Sequence, residues 1–264
     1  MKMIRALLRL PAIAVTTVSL YLLFLAGSLP LKLVNRNTEN WRHKCTKSWG
    51  RAILAIAGVE IHREGRAPKE PFFLVSNHLS YLDIAVYLSS VNGTFVAKKE
   101  MENWPVLGWI AKGLGILFID RTKKSDVHRV NQQITDAMKR KQGIILFPEG
   151  KTSKGEEVLP FRPALLEHPV RAGMPVYYSS VTYRTGKGDA PAEQAVCWWG
   201  DEPLFAHARR LAGLKKIRCD LIFGEKPLKA DDRKELGREL HREVTSIFRP
   251  VDQELPAQGN ISSR

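Results

Sequence analysis

The chain has 264 residues, 44% hydrophobic and 26% charged, which suits a folded α/β domain with a small appendage. Its net charge of +14 is unusual and points to a polyanionic partner: nucleic acid, anionic lipid headgroups or an acidic carrier protein. The three cysteines, Cys45, Cys197 and Cys219, are scattered, which argues against a disulfide framework or a structural zinc site and favours a reducing compartment.

The first element discriminates among the polyanions. Residues 10 to 31 form a run of 22 without a charge. As a helix they would be about 33 Å long, roughly the hydrocarbon core of a bilayer. We therefore expect residues 1–58 to form a membrane-embedded or interfacial helical segment. A cleaved signal peptide is the competing reading, because Lys2, Arg5 and Arg9 precede the run and Ala26-Gly27-Ser28 are small. Lys32 and Arg36 follow it, so positive charge flanks both ends and orientation is not readable. A single span and a re-entrant helix with both ends on one side fit equally.

Residues 39 to 58 predict a second helix. Trp41, Cys45, Trp49, Ile53 and Ile56 recur at spacings of three and four, with Arg42, Lys44, Lys47 and Arg51 among them. A basic helix carrying tryptophans after a membrane-length run suggests the lipid interface; an ordinary helix covering a core is the alternative.

From residue 59 the pattern changes to alternation. Strands are expected at 72–76, 94–97, 115–119, 143–147, 175–183 and 217–223, with helices between them. One helix is expected over 125–140, capped by Ser125 and carrying Val127, Val130, Ile134, Ala137 and Met138 on its apolar face. The fold class that follows is α/β: a single domain over 59–250 with a central mixed sheet flanked by helices. Residues 251–264 are polar and read as a disordered tail.

"FFLVSNHLSYLDIAVYL" carries the first candidate chemistry. On one unbroken helix His78 and Asp83 would lie about 140° apart and could not meet. A strand ending at Ser76, a turn over Asn77-His78-Leu79 and a helix from about Ser80 would allow it. Ser80 and Asp83 also have capping-box spacing, so a loop histidine beside a helix-capping aspartate is the plain alternative. Downstream, "GILFIDR" ends a strand in Asp120-Arg121, and "FPEGKTS" sets Glu149, Gly150, Lys151, Thr152 and Ser153 after another strand. Lys98 and Lys99 follow the strand at 94–97 and are candidate anion contacts or solvated lysines. The strand from Pro175 is either a pocket wall or plain core.

In this order and spacing the segments resemble the glycerolipid (lysophospholipid) acyltransferase family, typified by 1-acylglycerol-3-phosphate O-acyltransferase. Asn77 to Asp83, Gly115 to Arg121, Phe147 to Gly150 and Pro175-Val176 are similar to its four blocks. The resemblance covers roughly residues 60 to 225. It implies that His78 is the general base and Asp83 its orienting partner, with Arg121 on the acceptor phosphate. It also implies a lysolipid acceptor, acyl-CoA or acyl-carrier protein as co-substrate, no cofactor or metal, and a membrane location with the site on the cytoplasmic face. No nucleic acid is expected, because the sequence has no recognition-helix or RNA-binding signature and begins with a membrane-length run.

The residue types agree. A lipid hydroxyl is a poor nucleophile near neutral pH, and an imidazole can remove its proton as it attacks a thioester. A carboxyl-bearing partner holds the useful tautomer. No Gly-x-Ser-x-Gly elbow is present, so direct transfer through a ternary complex is expected. Glu149 would repel phosphate, and is expected to bind a glycerol hydroxyl or anchor a cation.

One departure stands out. The third block commonly continues Glu-Gly-Thr-Arg-Ser, and here it reads Glu149-Gly150-Lys151-Thr152-Ser153, with Thr152 in the arginine's place. Either Lys151 supplies the charge, or the acceptor has a different headgroup. The first acceptor expected is 1-acyl-sn-glycerol-3-phosphate; the alternatives are another lysolipid, such as a lyso-ornithine lipid, or a thioesterase-type hydrolysis. The adjacent tryptophans of "VCWWGDEPLF" either line a lipid groove or pack on the sheet.

Overall fold

The computed structural model describes residues 1–104, 107–120 and 124–251, without the side chains of 124, 125, 127 and 128. Arg121, the Ser125 cap, Val127 and the tail from 252 lie outside the described residues. Val251 opens the expected tail, but it is buried and its N–H donates to Gly155 O at 2.9 Å.

Seven strands form one mixed sheet in the order β1-β7-β6-β2-β5-β3-β4. They are β1 Val59–Glu64, β2 Phe73–Ser76, β3 Gly93–Lys98, β4 Leu117–Ile119, β5 Gly143–Leu146, β6 Val176–Thr185 and β7 Ile217–Phe223. Every pair is parallel except β6 with β7. The strands β2 and β5 read as unbroken apolar runs because both of their faces are covered.

Alternation along the strands divides the core in two. Phe72, Leu74, Phe95 and Ile145 point to one face, under α2 (Glu39–Ala57) and α3 (Leu82–Ser90). Phe73, Val75, Val96, Ile144 and Leu146 point to the other, under α5 (Lys124–Lys139) and α9 (Arg233–Ile247). Gly50 lets α2 approach α3 closely: a Cβ there would sit 2.7 Å from Ala85 O and 2.9 Å from Ser89 N. Asp232 caps α9 by accepting the N–H groups of Lys234 and Glu235 at 2.8 and 2.9 Å.

The first helix, α1 (Lys2–Leu33), is the one described helix long and apolar enough to cross a membrane. It does not stand free of the domain. One side lies along α2 and along α8 (Leu204–Gly213), burying Ala6, Tyr21 and Phe24. Arg9 donates to Leu214 O at 2.6 Å, beyond the end of α8. Trp41 and Trp49 of α2, expected at the lipid interface, turn to α1 instead. Their indole N–H groups donate to Phe24 O at 3.1 Å and to the Thr17 hydroxyl at 3.0 Å. The opposite side of α1 exposes Leu7, Leu8, Val15, Leu22 and Leu29. Three shorter helices, α4 (Leu107–Gly113), α6 (Glu167–Arg171) and α7 (Ala192–Ala195), lie in the connections.

Candidate active site

Because β2, β5, β3 and β4 are mutually parallel, their C-terminal ends deliver loops to one end of the sheet, where open α/β sheets place ligands. The loop after β2 carries His78, the loop after β5 carries Phe147–Ser153, and β3 ends in Lys98. Side-chain clamps fix these loops. Asn77 is 1% exposed and mimics a strand partner of β6: its Nδ2 donates to Val181 O at 2.9 Å, and its Oδ1 accepts Val181 N–H at 2.8 Å. Glu149 accepts the N–H of His78 at 2.8 Å, and Ser153 N–H donates to His78 O at 3.0 Å. Gly150 closes the turn with φ of 78°, and its N–H donates to Phe147 O at 3.1 Å.

His78 and Asp83 meet across the turn. The histidine Nδ1 and the Asp83 Oδ2 are 2.7 Å apart. Asp83 is fully buried, and the same oxygen accepts the N–H groups of Leu79 and Ser80 at 2.8 and 3.1 Å. The Ser80 hydroxyl accepts Leu82 N–H at 3.3 Å, so the capping box and the His–Asp pair coexist in one carboxylate. Its other oxygen, Oδ1, accepts the hydroxyl of Tyr183 at 2.6 Å. Accepting two backbone N–H groups and a phenol O–H, the carboxylate acts as acceptor toward the imidazole as well, which places the imidazole proton on Nδ1 and leaves the Nε2 lone pair for chemistry. The imidazole stacks on Phe147, with centroids 4.0 Å apart and planes 4° apart, which fixes its orientation.

His78 opens onto a cavity of about 1110 Å³. Its walls are mainly apolar and come from the sheet and the helices on its near face: Leu10 and Ile13 of α1, Trp49 and Ile53 of α2, Leu88 of α3 and Phe95 of β3. At its mouth stand Lys98, Lys151 and Lys154 together with Glu156, Glu157 and Asp201. Among the other expected site residues, Gly150, Thr152 and Ser153 also line it. Lys98 reaches the cavity, whereas Lys99 pairs with Glu102.

Glu149 does not take the expected place. It is 2% exposed, accepts His78 N–H on Oε1 and Leu159 N–H at 3.3 Å on Oε2, and so braces two loops rather than facing the cavity. Burial pushes its carboxyl up to about 8. The start of β6 is core, not a pocket wall: Val176 is fully buried in the far-face cluster. Sequence reasoning missed Asn77 as a clamp and Tyr183 as a partner of Asp83. Tyr183 lies on the near face of β6, in phase with Val181, but nothing in its local spacing marks a partner 100 residues away.

The tryptophan segment does belong to the site. Trp198 N–H donates to Leu79 O at 2.8 Å, and the Thr152 hydroxyl donates to Trp198 O. His207 Nε2–H donates to Cys197 O at 3.0 Å while its Nδ1 accepts the Tyr81 hydroxyl at 3.0 Å. Burial keeps that buried imidazole low and neutral. The threonine in the arginine's position thus holds a loop.

Comparison with known proteins agrees with the geometry. Residues 58–181 match the family model described as Acyltransferase. The lyso-ornithine lipid O-acyltransferase of Pseudomonas aeruginosa is 31% identical over 82% of this chain and 83% of its own. The 1-acyl-sn-glycerol-3-phosphate acyltransferase of Neisseria meningitidis is 29% identical over 78% of this chain and 81% of its own. In fold, the chain is similar to the 1-acyl-sn-glycerophosphate acyltransferase of Thermotoga maritima, with a TM-score of 0.63 and 22% identity over 93% of this chain and 97% of that one. With the His-Asp loop and the Phe-Pro-Glu-Gly turn following adjacent parallel strands, this chain belongs to the acyltransferase family.

Proposed function

We propose that the protein transfers a fatty acyl group from an acyl thioester to the free hydroxyl of a lysolipid, with His78 as general base. The observation that carries this is the His78–Asp83 contact of 2.7 Å at the neck of a largely apolar cavity of about 1110 Å³. That volume lies just above the range of about 300–1,000 Å³ for ordinary ligand clefts and suits acyl chains.

The acceptor hydroxyl gives its proton to His78 Nε2 as its oxygen attacks the thioester carbonyl. Asp83 holds the Nδ1–H and stabilises the imidazolium that forms. The tetrahedral adduct then collapses, the carbon–sulfur bond breaks, and the departing thiolate takes the proton back. Acyl-CoA and acyl-carrier protein are both polyanionic donors that the +14 chain attracts.

Two acceptors meet the mouth. Lysophosphatidate would be met by Lys98 and Lys151, with Arg121 as the family's further cation. An amino-acid headgroup with a carboxylate and an ammonium, as in a lyso-ornithine lipid, would also use Glu156, Glu157 and Asp201. The mixed charge of the mouth and the engagement of Thr152 with Trp198 favour the zwitterionic headgroup. Three carboxylates around a phosphate would be repulsive.

We place α1 in one leaflet, with the catalytic domain on the cytoplasmic side. The helix is packed along its length against the domain and walls the cavity with Leu10, Ile13 and Thr17, which supports its retention in the working enzyme. Its exposed leucines then face lipid, and the positive domain faces an anionic leaflet.

Labelled acyl-CoA with and without each lysolipid tests the reaction. Acceptor-dependent diacyl product is expected, with lyso-ornithine lipid preferred. Free fatty acid regardless of acceptor would replace transfer by hydrolysis, and a strong lysophosphatidate preference would overturn the headgroup assignment. His78→Ala should lower turnover about 10²–10⁴-fold while vesicle binding is kept. Near-normal turnover in that variant, or trapping of an acyl-enzyme, would sink the mechanism.

A further inference from the structure

Asp83 has two partners of chemical weight, and the family blocks account for one. His78 sits on Oδ2, while Tyr183 donates its phenol O–H to Oδ1 at 2.6 Å, the shorter of the two contacts. Tyr183 is fully buried, lies in the middle of the sheet on β6, and comes from the strand that also clamps Asn77 through Val181. The His78 loop and its carboxylate are therefore both referenced to one rigid strand. On β7, Cys219 is the cross-strand neighbour of Tyr183 and equally buried, so the line His78, Asp83, Tyr183, Cys219 runs from the cavity into the core.

We propose that Tyr183 is a positioning residue for the reaction, which sets both the orientation and the basicity of the Asp83 carboxylate. The proposal rests on the reading of His78 as general base. A short hydrogen bond to a carboxylate draws charge off it. A carboxylate with less charge to offer binds the imidazolium proton less tightly, so the hydroxyl of Tyr183 holds the basicity of His78 down. It also fixes the carboxylate's rotation, since the two oxygens are tied to different elements. The ionisable groups facing Asp83 are His78 and Glu149 from the two loops, Tyr87 from its own helix, Tyr183 from β6 and Cys219 from β7. Tyr87 is engaged with Ser76 and Ser179, at 2.5 and 2.7 Å, and Glu149 with two backbone N–H groups. Tyr183 is thus the side-chain O–H donor placed to tune this carboxylate.

The test is Tyr183→Phe, read by kinetics and by titration of the His78 imidazole in an NMR experiment on the full chain in detergent. The expected result is a fall in kcat of about 10- to 100-fold, the scale of one hydrogen bond to a charged group, with KM for both substrates within about twofold. The acid limb of the pH–rate profile and the imidazole titration should both move to higher pH. A packing role alone would move neither limb, so an unshifted profile overturns the proposal. If Tyr183→Phe does not fold, 3-fluorotyrosine at position 183 keeps the size and strengthens the donor. It should move the imidazole titration to lower pH, and an unshifted titration again overturns the proposal. The imidazole titration is independent of turnover, so a fully active His78→Ala would sink the base assignment without touching it.

Discussion

Glu149 is buried to 2% exposure, yet it faces two backbone N–H groups and no cavity. Its carboxyl, ordinarily near 4.5, is raised to about 8 by that burial, with Asp83 adding to the rise. In the window between these values the unfolded chain releases the proton and the folded chain keeps it. The stability this residue contributes is therefore present at low pH and lost as pH rises toward 8. Glu149→Gln removes the titration and turns an amide N–H₂ toward one of the two backbone donors. The variant should lose about 1–3 kcal/mol at low pH and show a flatter decline of stability between about pH 5 and about pH 8. Urea unfolding in detergent at the two ends of that window measures both. An unchanged slope would mean that Glu149 does not titrate there. The residue's type and position were legible in the sequence, but its role was not. A carboxylate among cationic neighbours reads as a ligand contact, and only tertiary structure shows both oxygens turned to backbone. His78 and Asp83 were legible because their spacing crosses a turn and the turn's own chemistry, Ser80 capping with Asp83 reaching back, is local.

Among the elements, the buried parallel strands were legible and the edge strand β1 was not. The strands β2 and β5 are apolar on both faces, whereas β1 reads Val-Glu-Ile-His-Arg-Glu because it pairs only with β7 and exposes one side. Charged residues in a short edge strand hide it from a hydrophobic pattern. The segment 196–203 was equally hard to place, since its attachments are single hydrogen bonds to Leu79, Thr152 and His207 from distant parts of the chain. Among those attachments, the Thr152 hydroxyl holds Trp198 from the position where the family commonly has arginine. Thr152→Val keeps the shape and removes the donor to Trp198. Amide exchange over 197–201 should quicken and the acceptor KM rise about two- to tenfold, the worth of one neutral hydrogen bond. Thr152→Arg removes the same bond and adds a bidentate phosphate ligand. It should shift the acceptor ratio toward lysophosphatidate relative to Thr152→Val, measured as kcat/KM on each lysolipid. An equal ratio in the two variants would show that this position does not read the headgroup.

For the molecule as a whole, the membrane-length run was plain in the sequence and its disposition was not, because hydropathy counts residues without regard to which side each one faces. α1 has two apolar sides with different neighbours. Ala6, Tyr21 and Phe24 meet protein, and Leu7, Leu8, Leu22 and Leu29 do not. A helix crossing upright would carry α2, α8 and the cavity mouth into the hydrocarbon with it. The cavity mouth holds three lysines and three carboxylates, and burying such groups in lipid is costly. In the placement proposed above, along one leaflet, α1 would instead open the cavity beside the acyl chains and leave Lys98 and Lys151 at headgroup level. The three native cysteines are buried, so single cysteines at Met3 and Leu33, which are 69% and 75% exposed, can be labelled over a low background. In sealed vesicles an impermeant maleimide added outside should label both positions in the same vesicle population and neither in the oppositely oriented one. Labelling of one end alone would require a full crossing, and with it an opening of α1 away from α8 and the loss of its bond between Arg9 and Leu214.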